Sequence, residues 1–235
     1  MLELHNPHSV LAALTARPTD IEIVRLPSNN NSSGWDEIAK NAAEQGIKVT
    51  RKGFGSKNRE GRSGGGSAIV RERKPIKLEQ LFQQPGERSI WLAFDGIQDP
   101  HNIGAIVRTA AFFGVKGFIT TSNRSAPLNS VAYDVASGGM ELVPFSVQSN
   151  LSQALKFAKT IGLWIMGSAE QADQSIDSIP KDRPWILVLG GENRGLRRII
   201  REHCDVTCRV TPHGSLGTLN VSVATGILIE KLIQP

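Results

Sequence analysis

Three short segments of this 235-residue chain carry residue types suited to chemistry, and each follows an apolar run. The first, Asp95-Gly96-Ile97-Gln98-Asp99-Pro100-His101-Asn102-Ile103-Gly104, leads into a helical pattern that holds Arg108. Asn102 is a residue type that caps helices, and capping is its purely structural role. Six positions separate it from Arg108, a rotation of roughly 600° along a helix, so spacing alone does not put the two on one face. A long side chain leaning toward the helix N-terminus could still reach the loop. An arginine among Ile106, Val107, Ala110 and Ala111 either extends to solvent or is placed for a task.

The second segment is Gly190-Gly191-Glu192-Asn193-Arg194-Gly195, after the apolar run at 185–189. Its glycines let backbone groups approach a ligand closely. It lacks the spacing of a dinucleotide fingerprint and the Lys-Ser/Thr ending of a phosphate-binding loop, and Glu192 would repel phosphate. A ligand read through backbone groups fits it better. The third segment, Gly214-Ser215-Leu216-Gly217-Thr218-Leu219-Asn220, precedes a strongly apolar helical stretch at 221–232. Thr218 or Asn220 could simply cap that helix, whose apolar length implies burial. The set offers amides, a hydroxyl, one carboxylate and one guanidinium, with no obvious histidine base.

Elements must bring these segments together. Apolar runs of strand length recur at 90–94, 117–120, 142–145, 163–166, 185–189 and 206–210, and amphipathic helical stretches such as 103–113, 151–161 and 196–203 separate most of them. Strand–helix alternation with continuous apolar strands means a parallel α/β sheet covered on both faces. The ligand site of such a sheet lies beyond the carboxyl ends of its strands, where the three segments fall. Before residue 89 a smaller α/β pattern is legible. It comprises a helix opened by Pro7 with Val10, Leu11 and Leu14 at helical spacing, a strand at 21–24, a helix near 35–45, and apolar stretches at 47–49 and 68–70. The last of these reads as a strand returning to that small sheet, and 75–85 as a linker with room for one helix.

Charge is distributed unevenly. Between residues 48 and 77, ten basic side chains face only Glu60 and Glu72, a net +8, so the rest of the chain carries −3 to reach the overall +5. Arg51, Lys52, Lys57, Arg59 and Arg62 lie at or within the Gly- and Ser-rich loop of that stretch. Such a surface attracts polyphosphate and releases its counterions, which points to nucleic acid. No run approaches 18 apolar residues, so no membrane span is expected. The opening residues have neither a basic region nor a continuous apolar one, so a cytoplasmic protein is expected. Cys204 and Cys208 are the only cysteines. With no compact ligand set beside them, they read as small buried side chains rather than a metal site.

From about residue 89 to 233 the chain resembles the SpoU (TrmH-type) group of SPOUT RNA ribose methyltransferases. Asn102 through Arg108 (N-I-G-A-I-V-R), Gly190 through Gly195 (G-G-E-N-R-G) and Thr218 through Ala224 (T-L-N-V-S-V-A) look like the three motifs of that family, in order. The segments Arg124-Ser125-Ala126-Pro127-Leu128-Asn129, Val135-Ala136-Ser137-Gly138-Gly139 and Arg201-Glu202-His203-Cys204-Asp205 are similar to the branch that methylates a guanosine ribose of 23S large-subunit rRNA. The resemblance implies a parallel-sheet domain at 89–235 with a C-terminal trefoil knot. It also implies a small L30e-like RNA-binding domain at 1–75, joined by a linker at 76–88. S-adenosylmethionine would be held mainly by backbone groups of Gly190, Val210 and Leu219. Arg108 would be the catalytic arginine, with Asn102, Glu192, Thr218 and Asn220 fixing the geometry. Thr218 stands where many members have serine. A homodimer is implied, with each site close to the interface, and no metal. Two other readings are a tRNA ribose methyltransferase of the same family and a non-catalytic RNA-binding or ribosome-assembly factor. The missing dinucleotide fingerprint makes an oxidoreductase a poor fit.

Overall fold

The computed structural model of the chain describes residues 1–26, 33–51, 65–83, 85–192 and 194–234. Strand β1 (Leu2–Leu4) comes first, an element too short for its pattern to announce. Asn6 then accepts a hydrogen bond from the backbone N–H of His8, and Pro7 occupies the first helical position, so helix α1 (Pro7–Ala16) begins there. Strand β2 (Ile21–Leu26), helix α2 (Ser33–Glu44), β3 (Val49–Arg51) and β4 (Ser67–Val70) complete the small unit. Its sheet has the order β1-β4-β2-β3, with β4 antiparallel to both neighbours and β2 parallel to β3. The stretch at 68–70 therefore does return to the small sheet.

A one-turn helix α3 (Leu78–Leu81) leads into the larger unit. There β5 (Ile90–Asp95), α4 (Pro100–Phe112), β6 (Gly117–Thr121), α5 (Ser130–Ala136), α6 (Gly139–Leu142) and β7 (Phe145–Gln148) follow in turn. Next come α7 (Leu151–Thr160), β8 (Trp164–Ser168), β9 (Gln174–Ser175), β10 (Trp185–Gly190), α8 (Arg198–Arg201), β11 (Val206–Arg209) and α9 (Val221–Ile233). The seven strands form one sheet in the order β7-β6-β5-β10-β8-β11-β9, and every pairing in it is parallel.

Side chains alternate across this sheet, as strand geometry requires. Ile90, Leu92 and Phe94 of β5 and Leu187 and Leu189 of β10 join one cluster with α4, α5, α6, α9 and the small unit. Trp91 and Ala93 of β5 and Ile186 and Val188 of β10 join the other, with α3, α7 and α8. Both faces are thus covered, which accounts for strands that read as continuous apolar runs. No helix among the described residues is long and apolar enough to cross a membrane.

Two expectations need correction. The run at 142–145 is not a strand. Leu142 ends α6 and is 71% exposed, and β7 starts at Phe145. Gly138, at φ 94°, opens that short helix, and Pro144 follows it, so an apolar stretch bridges two elements. The apolar helix α9 is also only half covered. It buries Thr225, Leu228, Ile229 and Leu232 but leaves Val223 52% exposed.

The small unit is docked on α5 and α6. The Asp134 carboxylate accepts from the backbone N–H groups of His5 and Asn6, and Ser9 donates to the carbonyl of Tyr133. Arg17 makes a two-pronged ion pair with the buried Glu141, both contacts at 2.8 Å.

Candidate active site

The carboxyl ends of β5 and β10 coincide because Gly190 pairs with Asp95 in a parallel register. The loops leaving these two strands and the segment entering α9 therefore meet at one end of the sheet. Asp99, not Asn102, caps α4, accepting from the backbone N–H of His101 at 2.8 Å. The capping role considered for Asn102 is thereby filled, and Asn102 lies inside the first turn, 9% exposed. A buried amide needs partners. Asn102 Nδ2 donates to Glu192 Oε1, and Asn102 Oδ1 accepts from Asn220 Nδ2 at 3.0 Å. Asn220 also caps α9, its Oδ1 accepting from the backbone N–H of Ser222 at 2.8 Å. One hydrogen-bonded series, Asn220 to Asn102 to Glu192, thus ties all three segments together.

The glycine loop is built on close approach. Gly191 donates its N–H to the carbonyl of Asp95 at 3.1 Å, and Gly195 donates back to Gly191 at 2.9 Å. A Cβ on Gly190 would lie 2.3 Å from the carbonyl carbon of Gly195, and one on Gly191 would lie 2.3 Å from the oxygen of Gly96. Neither position has room for a side chain. The fully buried Asp95 carboxylate anchors the far side of the loop, taking the backbone N–H of Arg197 at 2.8 Å and its Nε at 2.6 Å. Sequence reasoning did not single out Asp95. Its signal was a carboxylate closing an apolar strand immediately before a glycine.

A cavity of about 570 Å³ opens beside this loop, lined among others by Gly190, Glu192, Thr218, Leu219, Asn220 and Ser168. Its size lies within the range of roughly 300–1,000 Å³ typical of small-molecule sites. Five of the expected site residues thus line one space, and Asn102 is bonded to two of them. Val210, one residue beyond β11, does not line it. Arg108 is exposed on α4 and lines neither this cavity nor its neighbour. Its side chain makes no hydrogen bond or ion pair with another described residue. Arg51 is exposed at the end of β3, while Lys52, Lys57, Arg59 and Arg62 lie outside the described residues.

The cysteines stand apart from this chemistry. Burial pushes both the Cys204 and Cys208 thiols up to about 12, with the neighbouring Asp205 adding to the effect at Cys204. Among the described residues no group of histidine, cysteine or carboxylate side chains is arranged to hold a metal ion.

A parallel α/β sheet thus carries at its carboxyl edge a glycine-walled cavity of small-molecule size, bordered by an amide–carboxylate series. Residues 89–230 match the model of the SpoU rRNA Methylase family. The chain belongs to that family. It is 33% identical over 234 residues to the 23S rRNA (guanosine-2'-O-)-methyltransferase RlmB of Nitrosomonas europaea, an alignment covering 97% of this chain and 89% of that protein. It is 40% identical over 157 residues to the RlmB of Pseudomonas aeruginosa, spanning 67% of this chain and 63% of the relative. The fold resembles the crystal structure of the SpoU methyltransferase AviRb from Streptomyces viridochromogenes in complex with AdoMet. The TM-score is 0.81 at 17% identity, over 98% of this chain and 88% of that one.

Proposed function

We propose that this protein transfers a methyl group from S-adenosylmethionine to a ribose 2′-hydroxyl of RNA, on a guanosine of 23S rRNA. The observation that carries the reading is the Asn220–Asn102–Glu192 series bordering a glycine-walled cavity in a chain of the SpoU family. The cavity suits the cofactor. Where Gly190 and Gly191 stand, a Cβ would collide with backbone, so a ligand there meets amides and carbonyls directly. Gly190, Leu219 and the neighbouring lining residues would hold it. The cofactor supplies an electrophilic methyl on a sulfonium sulfur.

The residues of this chain then have three tasks. Positioning is the largest, because holding two reactants in a near-attack geometry contributes about 7–11 kcal/mol. Asn102, held between two partners, fixes the spacing of the β5 and β10 loops and the start of α9. Glu192 and Thr218 shape the cavity beside it. Arg108 would stabilise the ribose oxygen as its proton passes to solvent water. A guanidinium is a poor ordinary base but well suited to bind the phosphate beside the target ribose and favour the alkoxide. Its exposure and lack of partners leave its donors available for that contact.

Finer parts of the reading belong to the same proposal. Residues 1–75 form an L30e-like RNA-binding domain and 76–88 a linker, supported by the separate four-stranded sheet. Arg51 and the basic stretch of sequence after it supply phosphate contacts. The methyltransferase domain, 89–235, is knotted at its C-terminal end. Supporting this, β10 enters the sheet between β5 and β8, both earlier in the chain, and β11 then pairs on the far side of β8. A homodimer is supported by large apolar side chains left open near Arg108 and on α9, with Phe112 82% exposed and Val223 52%.

The test is transfer of labelled methyl to a 23S rRNA transcript, with tRNA in parallel and Arg108→Ala as the control. Label in rRNA that maps to a guanosine ribose and vanishes in the variant is expected, and Arg108→Lys should also fail because a point charge lacks the planar fork. Full transfer by Arg108→Ala overturns the assignment of Arg108, and label in tRNA alone overturns the substrate.

A further inference from the structure

Glu141 on α6 is a buried carboxylate, its side chain 2% exposed, and two arginines from outside its own helix converge on it. Arg17, just after α1 in the small unit, meets both oxygens at 2.8 Å, and Arg73, on the chain leaving β4, lies 4.0 Å away. Arg73 also donates to the carbonyls of Met140 and Val143, and its guanidinium lies 5.6 Å from the centre of the Phe145 ring. Arg17 donates in addition to Asp20 and to the carbonyl of Arg71. One buried carboxylate is thus the meeting point of the small unit, the connecting segment and the larger unit. A buried charge left without its partner is costly, so the pair favours the one arrangement of the two units that satisfies it.

The connecting segment is itself held. Ile76 donates its N–H to the carbonyl of Phe145 at 2.9 Å, and Trp91 Nε1 donates to the carbonyl of Leu81 at 2.9 Å. Leu81 and Phe82 are buried, with Phe82 edge-on to Trp91 at 5.7 Å between ring centres. A further attachment lies at the other end of α1. There the Asp134 carboxylate accepts from the backbone N–H groups of His5 and Asn6, and Asn6 Nδ2 donates to the carbonyl of Asp134 at 2.7 Å. Domains on a free linker move relative to one another by default. Here contacts at both ends of α1 and a pinned connection oppose that motion.

We propose that the small unit is held in one orientation on the larger and that Glu141 is the positioning residue that sets it. RNA bound by the small unit is thereby presented to the active site at a fixed distance. The proposal rests on the RNA methyltransferase reading. Two RNA-contacting surfaces in fixed register act as one bivalent surface. When their relation is loose, the second contact forms at a lower effective concentration, and affinity falls although every contact residue is intact.

Glu141→Gln, which keeps the shape and removes the charge, would be compared with Arg17→Met and with the double variant. Arg198→Gln, at a side chain that is 94% exposed, controls for loss of one surface charge. Hydrogen exchange at peptides containing His5, Asn6 and Ile76 reads docking, and β5 peptides report global opening. KM, kcat and Kd for a 23S rRNA transcript and calorimetric cofactor affinity complete the set. In both single variants, exchange at the docking peptides should rise about tenfold while β5 keeps its protection. KM and Kd for RNA should rise about tenfold, with kcat and cofactor affinity at wild type. Because the two residues act through one contact, the double variant should be no worse than either single variant. Arg198→Gln should exchange as wild type does. Unchanged exchange in both single variants overturns the assignment of Glu141, as do effects that add in the double variant. Faster exchange with unchanged RNA Kd overturns the role in presenting RNA. If Glu141→Gln also loses protection in β5, Arg17→Met, altered on the small unit's side of the pair, decides. A wild-type protein that methylates no RNA would refute the catalytic reading, while exchange and RNA Kd still decide this one.

Discussion

Replacing Gly190 with alanine tests whether the glycine loop is the wall of the cofactor site. The added Cβ would sit 2.3 Å from the carbonyl carbon of Gly195 and 2.5 Å from the nitrogen of Leu196, where ordinary contact begins at 3.4 Å. Both neighbours are backbone, so no side chain can swing aside, and the return arm of the loop must retreat by about 1 Å, an overpacking strain of roughly 1–3 kcal/mol. Expressed in binding, that weakens cofactor affinity about 5- to 150-fold, and a misplacement of that size reduces turnover by about 100-fold. Two alanine variants calibrate the result. Gly195 has φ 58° and nothing within 4 Å of its virtual Cβ, so alanine there costs only the backbone strain of about 1–2 kcal/mol. Gly214 has neither neighbour nor positive φ, and its alanine variant should bind as wild type does. Calorimetric titration with S-adenosylmethionine should therefore rank Gly190→Ala as weakest, with Gly214→Ala unchanged. Wild-type affinity in Gly190→Ala would refute the placement of the cofactor against this loop.

Two other perturbations separate roles that coincide in one residue or one region. Asn220→Asp keeps an oxygen to cap α9 but removes the donor to Asn102, and turning the Asn102 amide to compensate would aim its oxygen at Glu192. Leaving the buried Asn102 oxygen unpaired should cost about 1–3 kcal/mol of stability, read as a melting midpoint lower by several degrees, and the displaced loops should lower turnover by up to about 100-fold; unchanged turnover would remove the series from the mechanism. For the cysteines, folded values pushed up to about 12 mean that folding favours the protonated thiols. Their contribution to stability is fully present below the unfolded value of about 8.5 and is lost as pH rises through the folded one. Thiol-reactive dye at pH 8 should label neither cysteine in the native protein and both after denaturation, and rapid native labelling of Cys204 would contradict its burial.

Patterns of period and composition in the chain determined a good deal. Continuous apolar runs required a sheet covered on both faces, and β5, β6, β8, β10 and β11 appear within a residue or two of those runs. The basic stretch and the three polar segments were legible because charge and glycine content are properties of the chain itself. Motif resemblance, not periodicity, was what named a family. Local signals failed where two elements share one apolar run, as at Leu142 and Phe145, and where a strand is only two or three residues long, as with β1 and β9.

Only the tertiary structure decided which candidates act together. Asn102 read as a helix cap until Asp99 took that position and left its buried amide to bridge Glu192 and Asn220. Asp95 drew no notice because nothing local says that a carboxylate at a strand end will meet Arg197, more than a hundred residues later. The cavity arises because the β5 and β10 loops converge at one edge, and parallel strands bring together loops far apart in sequence. Sequence carries the type of each group and its near neighbours; which distant group it finally faces is set by strand order.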